Sequence, residues 1–276
     1  MKTLYVSDLD GTLLTKDQRL SDFAVKAINS LLERGMCFSV ATARSYTTAS
    51  AVCSRILSNI PIAVYNGCFI LKSDGAVLHS EVFSKDEASN ILNILISGGI
   101  YPTVYYLKEN MDYFSYVPEL ISRPMREFLN TRKNDRRESK VNTVNELFRH
   151  DSFIFTCVDK REKLDPVYEK LKNKFQCLYY DDIYTGERWL EILPIKATKA
   201  NAVLQLKKML SCDKIVCFGD AENDISMFNV CDERYAVANA DEKLKKSATG
   251  VIESNNDDGV AKWLLNNFRS GEKDET

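Results

Sequence analysis

Residues 4–12 read LYVSDLDGT (Leu4–Thr12), and the fold turns on how that stretch is parsed. Leu4–Asp8 is a short apolar run that halts at a Gly-Thr turn, the pattern of a strand buried in a parallel sheet. Downstream, Ser21 has the chemistry of a helix N-cap. Phe23, Ala24, Ala27, Ile28, Leu31 and Leu32 then recur at helical spacing until Gly35. Met36–Val40 reads as the next strand, 45–57 as the next helix and Ile62–Tyr65 as a third strand.

The end of the chain keeps the same rhythm. An amphipathic helix over Lys199–Leu210 leads to a strand over Lys214–Phe218. A helix over Asn223–Phe228, a strand over Tyr235–Val237 and helices over Asp241–Ala248 and Val260–Phe268 follow. Such alternation predicts the α/β class: a Rossmann-like parallel sheet with helices on both faces. Between these parts the pattern changes. Strands come in neighbouring pairs, such as Tyr101–Leu107 with Tyr113–Val117, and helices are expected over Asp86–Ser97 and Glu162–Lys174. The expected division is an α/β core of residues 1–83 and 188–276, interrupted by an α+β cap of residues 84–187. NTRKNDRRESK (residues 130–140), with five basic and two acidic residues, reads as a solvated face before it reads as a phosphate-steering patch.

Four features fall at the carboxyl ends of core strands or at a helix start beside them, where open parallel sheets bind ligands. They are DLDGT (Asp8–Thr12), ATARS (Ala41–Ser45), TKA (Thr198–Ala200) and GDAEND (Gly219–Asp224). Asp8 and Asp10 are two apart, so both carboxylates can point the same way, and Gly11 permits a sharp turn. Alone, this is an ordinary Asp-Gly turn. GDAEND alters the weighting, because Asp220 and Asp224 then join the same sheet edge. Four carboxylates there repel one another unless a cation lies among them, and an all-oxygen donor set suits Mg²⁺. Lys199 and Thr42 add a fixed positive charge and a hydroxyl donor, which a phosphoryl group needs. Taken singly, the lysine reads as solvated and the threonine as a cap.

In order and spacing these motifs resemble the haloacid dehalogenase-like superfamily of aspartate-nucleophile phosphatases, over nearly the whole chain. The resemblance implies roles. Asp8 is similar to the nucleophile and a metal ligand. Asp10 resembles the general acid/base, which also ligates the metal through its backbone carbonyl. Thr42 matches the phosphate-holding hydroxyl, with Ala43 beside it, and Lys199 the lysine that stabilises the nucleophile and the transferring group. Asp220 matches the remaining carboxylate ligand, and Asn223 and Asp224 positions that support phosphate and metal waters. The space between Thr42 and Lys199 has room for a cap, as in the Cof-type (subfamily IIB) phosphatases, which YNG (Tyr65–Gly67, with Asn66) and GERWLEILP (Gly186–Pro194) also resemble. Ala43, Ala200 and Ala221 stand where that group often has glycine. The implied substrates are small phosphate monoesters, sugar phosphates first, with flavin mononucleotide and pyridoxal phosphate known for related members.

Composition bounds the alternatives. A net charge of −2 and a pI near 5.9 offer no broad basic field for nucleic acid or an anionic membrane. No stretch approaches the roughly 18 apolar residues of a membrane span. Eight scattered cysteines without CxxC spacing read as small buried hydrophobes of a cytoplasmic protein. No GxGxxG follows the first strand, against a dinucleotide-binding fold, and neither His79 nor His150 lies in a motif. A phosphomutase of the same superfamily is disfavoured by the compactness of GDAEND. A phosphate-binding regulator that has lost turnover is disfavoured by the presence of Asp8, Asp10, Lys199 and Asp220.

Overall fold

The computed structural model describes residues 1–56, 60–109, 111–132, 134–148, 151–181 and 186–269. The expected helix over 45–57 therefore ends, and His150 falls, outside the described residues. The chain divides into two compact units, Met1–Ser80 with Thr198–Thr276, and Glu81–Ala197.

In the first unit β1 (Thr3–Ser7) is followed by α1 (Asp22–Glu33), β2 (Cys37–Ala41), α2 (Tyr46–Cys53), β3 (Ile62–Val64), β4 (Phe69–Leu71) and β5 (Val77–Ser80). Two serines start the helices as N-caps: Ser21 Oγ accepts the Ala24 N–H at 2.9 Å and Ser45 Oγ the Thr48 N–H at 3.3 Å.

The second unit carries α3 (Lys85–Ser97), β6 (Thr103–Lys108), β7 (Met111–Tyr116), α4 (Arg123–Asn130), β8 (Glu138–Lys140), β9 (Ser152–Asp159), α5 (Arg161–Leu171), β10 (Gln176–Asp181) and β11 (Arg188–Leu193). The chain then returns to the first unit as α6 (Lys199–Met209), β12 (Lys214–Gly219), α7 (Ile225–Phe228), β13 (Glu233–Val237), α8 (Glu242–Ser247), β14 (Gly250–Ile252) and α9 (Gly259–Asn267).

The first sheet has the order β14-β13-β12-β1-β2-β3-β4-β5. From β14 to β3 every pair is parallel. The chain winds outward from β1 through β2 to β3, then re-enters on the other flank of β1 and winds outward again through β13. The order thus reverses between β1 and β12, and the crevice at their carboxyl ends is the topological switch point. Leu4, Val6, Ile215, Cys217 and Phe218 are fully buried in these two strands, as a layer covered on both faces requires. α1 and α9 pack through Ala24, Ala27 and Ala261, small residues that let helices approach closely.

The sheet departs from the all-parallel expectation at one edge, where β3, β4 and β5 form an antiparallel meander. Strands of three and four residues are too short to show a period in sequence.

The second sheet, β10-β11-β9-β6-β7-β8, is antiparallel except for the β7–β8 pair. Its main core holds Phe83, Ile91, Leu95, Val104, Phe155, Leu164, Leu171, Leu190 and Ile192, joining one sheet face to α3 and α5. The opposite face meets α4, with Met125 and Leu129 buried. This is the α+β cap of the fold. The expected return to the core at residue 188 comes too early: Arg188–Leu193 is an interior strand of this second sheet, held between β9 and β10.

Residues 130–140 also differ from the expectation. Rather than one solvated face, the segment contains Arg137, with its side chain only 16% exposed between Asp112 (2.8 Å) and Asp135 (2.7 Å). Lys133 lies outside the described residues.

Candidate active site

Because β1 and β12 are parallel neighbours in register, with Ser7 beside Phe218, the residues that follow them emerge side by side. The Asp8 N–H donates to the Phe218 carbonyl at 3.0 Å, extending the ladder by one step. Asp8 is thereby held by the sheet rather than by a loop. After it the chain turns through Leu9–Leu13. Gly11 sits at φ +73, and a Cβ there would lie 2.3 Å from Asp220 Oδ2. Only glycine meets both demands. Thr12 Oγ1 donates to Asp220 Oδ1 at 2.8 Å, and Asn239 Nδ2 to the Gly11 carbonyl at 2.7 Å.

Lys199 is the centre of the arrangement. It opens α6, whose start is capped by Thr198 Oγ1 accepting the Asn201 N–H at 3.1 Å. Its side chain is 1% exposed, and Nζ donates to Asp8 Oδ1 at 2.6 Å and to Asp224 Oδ1 at 2.7 Å. The solvated-lysine alternative is excluded by this burial. Asp224 is fully buried, and its second oxygen accepts the N–H groups of Asp220 (3.0 Å) and Ala221 (3.2 Å). GDAEND is compact because its last carboxylate folds back to bind the backbone of its own first residues.

Charge balance at the site is uneven. One ammonium faces Asp8, Asp220 and Asp224 in a place largely removed from water. Burial pushes the Asp8 carboxyl up to about 8; Lys199 opposes that shift, while Asp224 and Asp220 add to it. Asp220 is raised to about 6, again chiefly by burial, against the Thr12 hydrogen bond. Burial by itself would lower the Lys199 pKa, but the two carboxylates outweigh it and hold the lysine protonated.

Asp8, Asp220 and Asp224 each offer an oxygen within 4.8 Å of the others. Both Asp224 oxygens are already engaged, whereas Asp8 Oδ2 and Asp220 Oδ2 accept no hydrogen bond among the described residues. A hard divalent cation fits this all-carboxylate set and would offset the excess negative charge.

Other expected residues are placed less centrally. The Asp10 carboxylate does not join the lysine. It is 48% exposed and receives a bidentate pair from Arg44, Nε at 2.7 Å and Nη2 at 2.5 Å. Thr42 is buried and its Oγ1 accepts the Arg44 N–H at 3.1 Å, leaving its own proton available to donate. Ala43 is exposed beside it. Asn223 is exposed and makes no side-chain hydrogen bond among the described residues.

Tyr65, Asn66 and Gly67 all have positive φ (51°, 55° and 100°). This turn is tied to the Thr42 loop by Asn66 N–H to the Thr42 carbonyl (3.0 Å) and Tyr65 N–H to the Arg44 carbonyl (2.9 Å). A Cβ on Gly67 would meet the Thr198 carbonyl at 2.4 Å, so the glycine lets the YNG turn press against the start of α6.

Arg44, Thr12 and Asn239 also take part, without a role expected from the sequence. Arg44 and Thr12 lie inside quoted motifs, so proximity could have raised them. Asn239 is 228 residues from its partner Gly11 and carries no local signal.

A doubly wound sheet with an α+β cap, and a lysine-bridged carboxylate centre at its switch point, define a capped α/β protein. The chain belongs to the haloacid dehalogenase-like hydrolases, whose family model matches residues 5–264. It is 26% identical over 288 residues to the 5-amino-6-(5-phospho-D-ribitylamino)uracil phosphatase YwtE of Bacillus subtilis, covering 96% of this chain and 97% of that protein. A crystal structure from Thermotoga maritima superposes with a TM-score of 0.78 at 25% identity, covering 98% of each chain. A subclass IIB sugar phosphatase structure superposes with a TM-score of 0.73 at 18% identity, covering 96% of this chain and 98% of that one. Among the described residues, no helix is long and apolar enough to cross a membrane.

Proposed function

We propose that this protein is a Mg²⁺-dependent phosphatase of small phosphate monoesters, sugar or sugar-alcohol phosphates first, acting through an aspartyl-phosphate on Asp8. The observation that carries the reading is the buried Lys199 ammonium, bonded at once to Asp8 and Asp224. A buried lysine between two carboxylates leaves net negative charge, and the free oxygens of Asp8 and Asp220 give that charge a use. The names of relatives agree: one acts on a ribityl phosphate and another is a sugar phosphatase.

Mg²⁺ held by Asp8 and Asp220, with the Asp10 carbonyl, would neutralise charge and draw a phosphate dianion towards the carboxylate. The remaining work falls to side chains. Asp8, fixed by its sheet hydrogen bond, attacks phosphorus, and the bond to the ester oxygen breaks. Asp10, protonated for this step and released from its bidentate pair with Arg44, gives that proton to the departing alkoxide. A water then attacks the aspartyl-phosphate while Asp10 takes its proton, the bond to Asp8 breaks, and phosphate leaves. Lys199 and the Thr42 hydroxyl stabilise charge on the phosphoryl oxygens. Before substrate binds, Arg44 holds the ionised Asp10 carboxylate in one orientation, and Asp224 holds Lys199 and the Asp220 loop.

The test is acid quench of the enzyme with Mg²⁺ and a ³²P-labelled ester, followed by peptide mapping. Label on the peptide containing Asp8, lost in Asp8→Asn, is the expected result. Mg²⁺-dependent phosphate release that persists in Asp8→Asn would overturn the mechanism. A panel of sugar phosphates, flavin mononucleotide, pyridoxal phosphate and an aryl phosphate ranks the substrates.

A further inference from the structure

The loop that follows β1 is held by segments 228 to 241 residues away. In the parallel part of the first sheet the carboxyl ends of β1, β12, β13 and β14 lie along one edge, so the loops after β13 and β14 can reach the loop after β1. Asn239, after β13, donates from Nδ2 to the Gly11 carbonyl at 2.7 Å, and its Oδ1 accepts the Asn255 N–H at 3.0 Å. After β14, Asn255 Nδ2 donates to the Leu14 carbonyl at 2.8 Å and Asn256 Oδ1 accepts the Lys16 N–H at 2.9 Å. Asp258 Oδ1 accepts the hydroxyl of Ser21, the N-cap of α1, at 2.5 Å. The loop is thus gripped in order at residues 11, 14, 16 and 21.

An asparagine amide both donates and accepts, so Asn239 joins two main-chain segments at once. Asn255 is buried, whereas Asn239 is exposed. Water replaces an exposed hydrogen bond at little net cost, so stability does not account for Asn239. Its location does. Asp10 (φ −70°, ψ 126°) and Gly11 (φ 73°, ψ −8°) have the dihedral angles of the centre of a type II turn, and glycine there leaves the backbone loosely determined. The gripping turn is tight by contrast. Gly259 N–H donates to the Ser254 carbonyl at 3.0 Å, and a Cβ on Gly259 would lie 1.9 Å from the Glu253 carbonyl oxygen.

We propose that Asn239 is a positioning residue: by fixing the Gly11 carbonyl it aims the carbonyl and carboxylate of Asp10, while Asn255 and Asn256 secure the loop behind it. The inference rests on the phosphatase reading for the roles of Asp10. A carboxyl that transfers a proton must leave Arg44, so the ion pair with Arg44 does not place it during the reaction. The backbone has to do so, and Asn239 bonds the main chain one residue from Asp10. Small misplacements at a reacting centre are costly. The effect on turnover therefore falls with distance from Asp10, from the Gly11 contact to Leu14 to Lys16. The effect on stability follows burial instead, and is greatest at Asn255.

The experiment uses the full chain as wild type, Asn239→Ala, Asn255→Ala and Asn256→Ala. Phosphate release at saturating Mg²⁺ gives kcat, and urea unfolding gives stability. The thermal midpoint as a function of Mg²⁺ gives metal affinity without turnover. We expect kcat to fall about 10-fold or more in Asn239→Ala and successively less in Asn255→Ala and Asn256→Ala, while the urea midpoint falls most in Asn255→Ala. The half-saturating Mg²⁺ concentration should rise about 3-fold or more in Asn239→Ala. A kcat within about twofold of wild type in Asn239→Ala would overturn the proposal, as would kcat losses that follow the order of lost stability. If Asn239→Ala fails to fold, Asn239→Asp, which keeps the acceptor for Asn255 and loses the donor to Gly11, decides. If wild type releases no phosphate from any ester, the phosphatase reading fails and the Mg²⁺ titration decides the positioning role. An unchanged half-saturating concentration in Asn239→Ala then overturns it, and a wild type that is also indifferent to Mg²⁺ overturns both.

Discussion

Lys199 shows how much one side chain can depend on its surroundings. In solution a lysine is strongly hydrated; here its ammonium is buried and compensated by Asp8 and Asp224. Lys199→Met would leave two buried carboxylates facing each other. We expect a loss of about 3–5 kcal/mol of stability, the usual cost of removing one member of a buried ionic cluster, measured by urea unfolding. We also expect phosphate release to fall at least about 100-fold, as when a preorganised charge is lost from a reacting centre.

Gly11 and Gly35 allow a paired test. Both have positive φ (73° and 87°), but only Gly11 has a neighbour, Asp220 Oδ2, where a Cβ would go. Gly35→Ala should cost only the left-handed penalty, about 1–2 kcal/mol. Gly11→Ala must also displace Asp220, so the half-saturating Mg²⁺ concentration should rise about 10-fold, equivalent to losing about 1.4 kcal/mol of metal binding. An unchanged Mg²⁺ titration in Gly11→Ala would refute metal ligation by Asp220.

Elements were legible in proportion to their length and to how much of their stabilisation is local. α1 starts at the expected cap because Ser21 bonds to a backbone N–H three residues on. α3 starts one residue early, with Ser84 and Glu87 forming a reciprocal capping box. β4 and β5 had no such signal: they are short, and their partners supply their hydrogen bonds. β8 is held by contacts distant in sequence. Its neighbour Arg137 bonds Asp112 as well as the nearby Asp135, and Glu138 accepts from the Tyr116 hydroxyl.

A pH effect belongs to this edge. Hydrogen bonding from Arg137 holds the Asp135 carboxyl below its usual value, despite the opposing cost of burial. The contribution is therefore fully present above the unfolded pKa near 4 and is lost as pH falls through the lower folded value. Acid unfolding between roughly pH 4 and 2 should begin at higher pH in Asp135→Asn, which has already lost that contribution. Circular dichroism along an acid titration measures it, and coincident curves would show that the ion pair contributes nothing.

At the scale of the whole chain, the candidate centre exists only because two distant stretches enter the sheet as neighbours. Asp8 follows β1 and Asp220 follows β12, and the inserted second unit separates them in sequence. A cation bound by this pair stabilises the folded state by mass action, so Mg²⁺ should raise the thermal midpoint. At 100 times its dissociation constant the gain is about 2.7 kcal/mol, a shift of several degrees for a chain of this size. Asp220→Asn should lose most of that shift, with no appeal to turnover. A midpoint indifferent to Mg²⁺ in the wild type would count against the metal centre.

By itself the sequence determined the alternation of strand and helix, the capped α/β class and the identity of the carboxylates and lysine at the strand ends. Those properties depend on periodicity, turn chemistry and spacing along the chain, all of them local. Tertiary structure alone decided that Lys199 is buried between Asp8 and Asp224, that Asp10 turns to Arg44, and that Arg188–Leu193 joins the second sheet. Each of these depends on strand order and register, which bring together residues whose separation along the chain carries no trace of the contact.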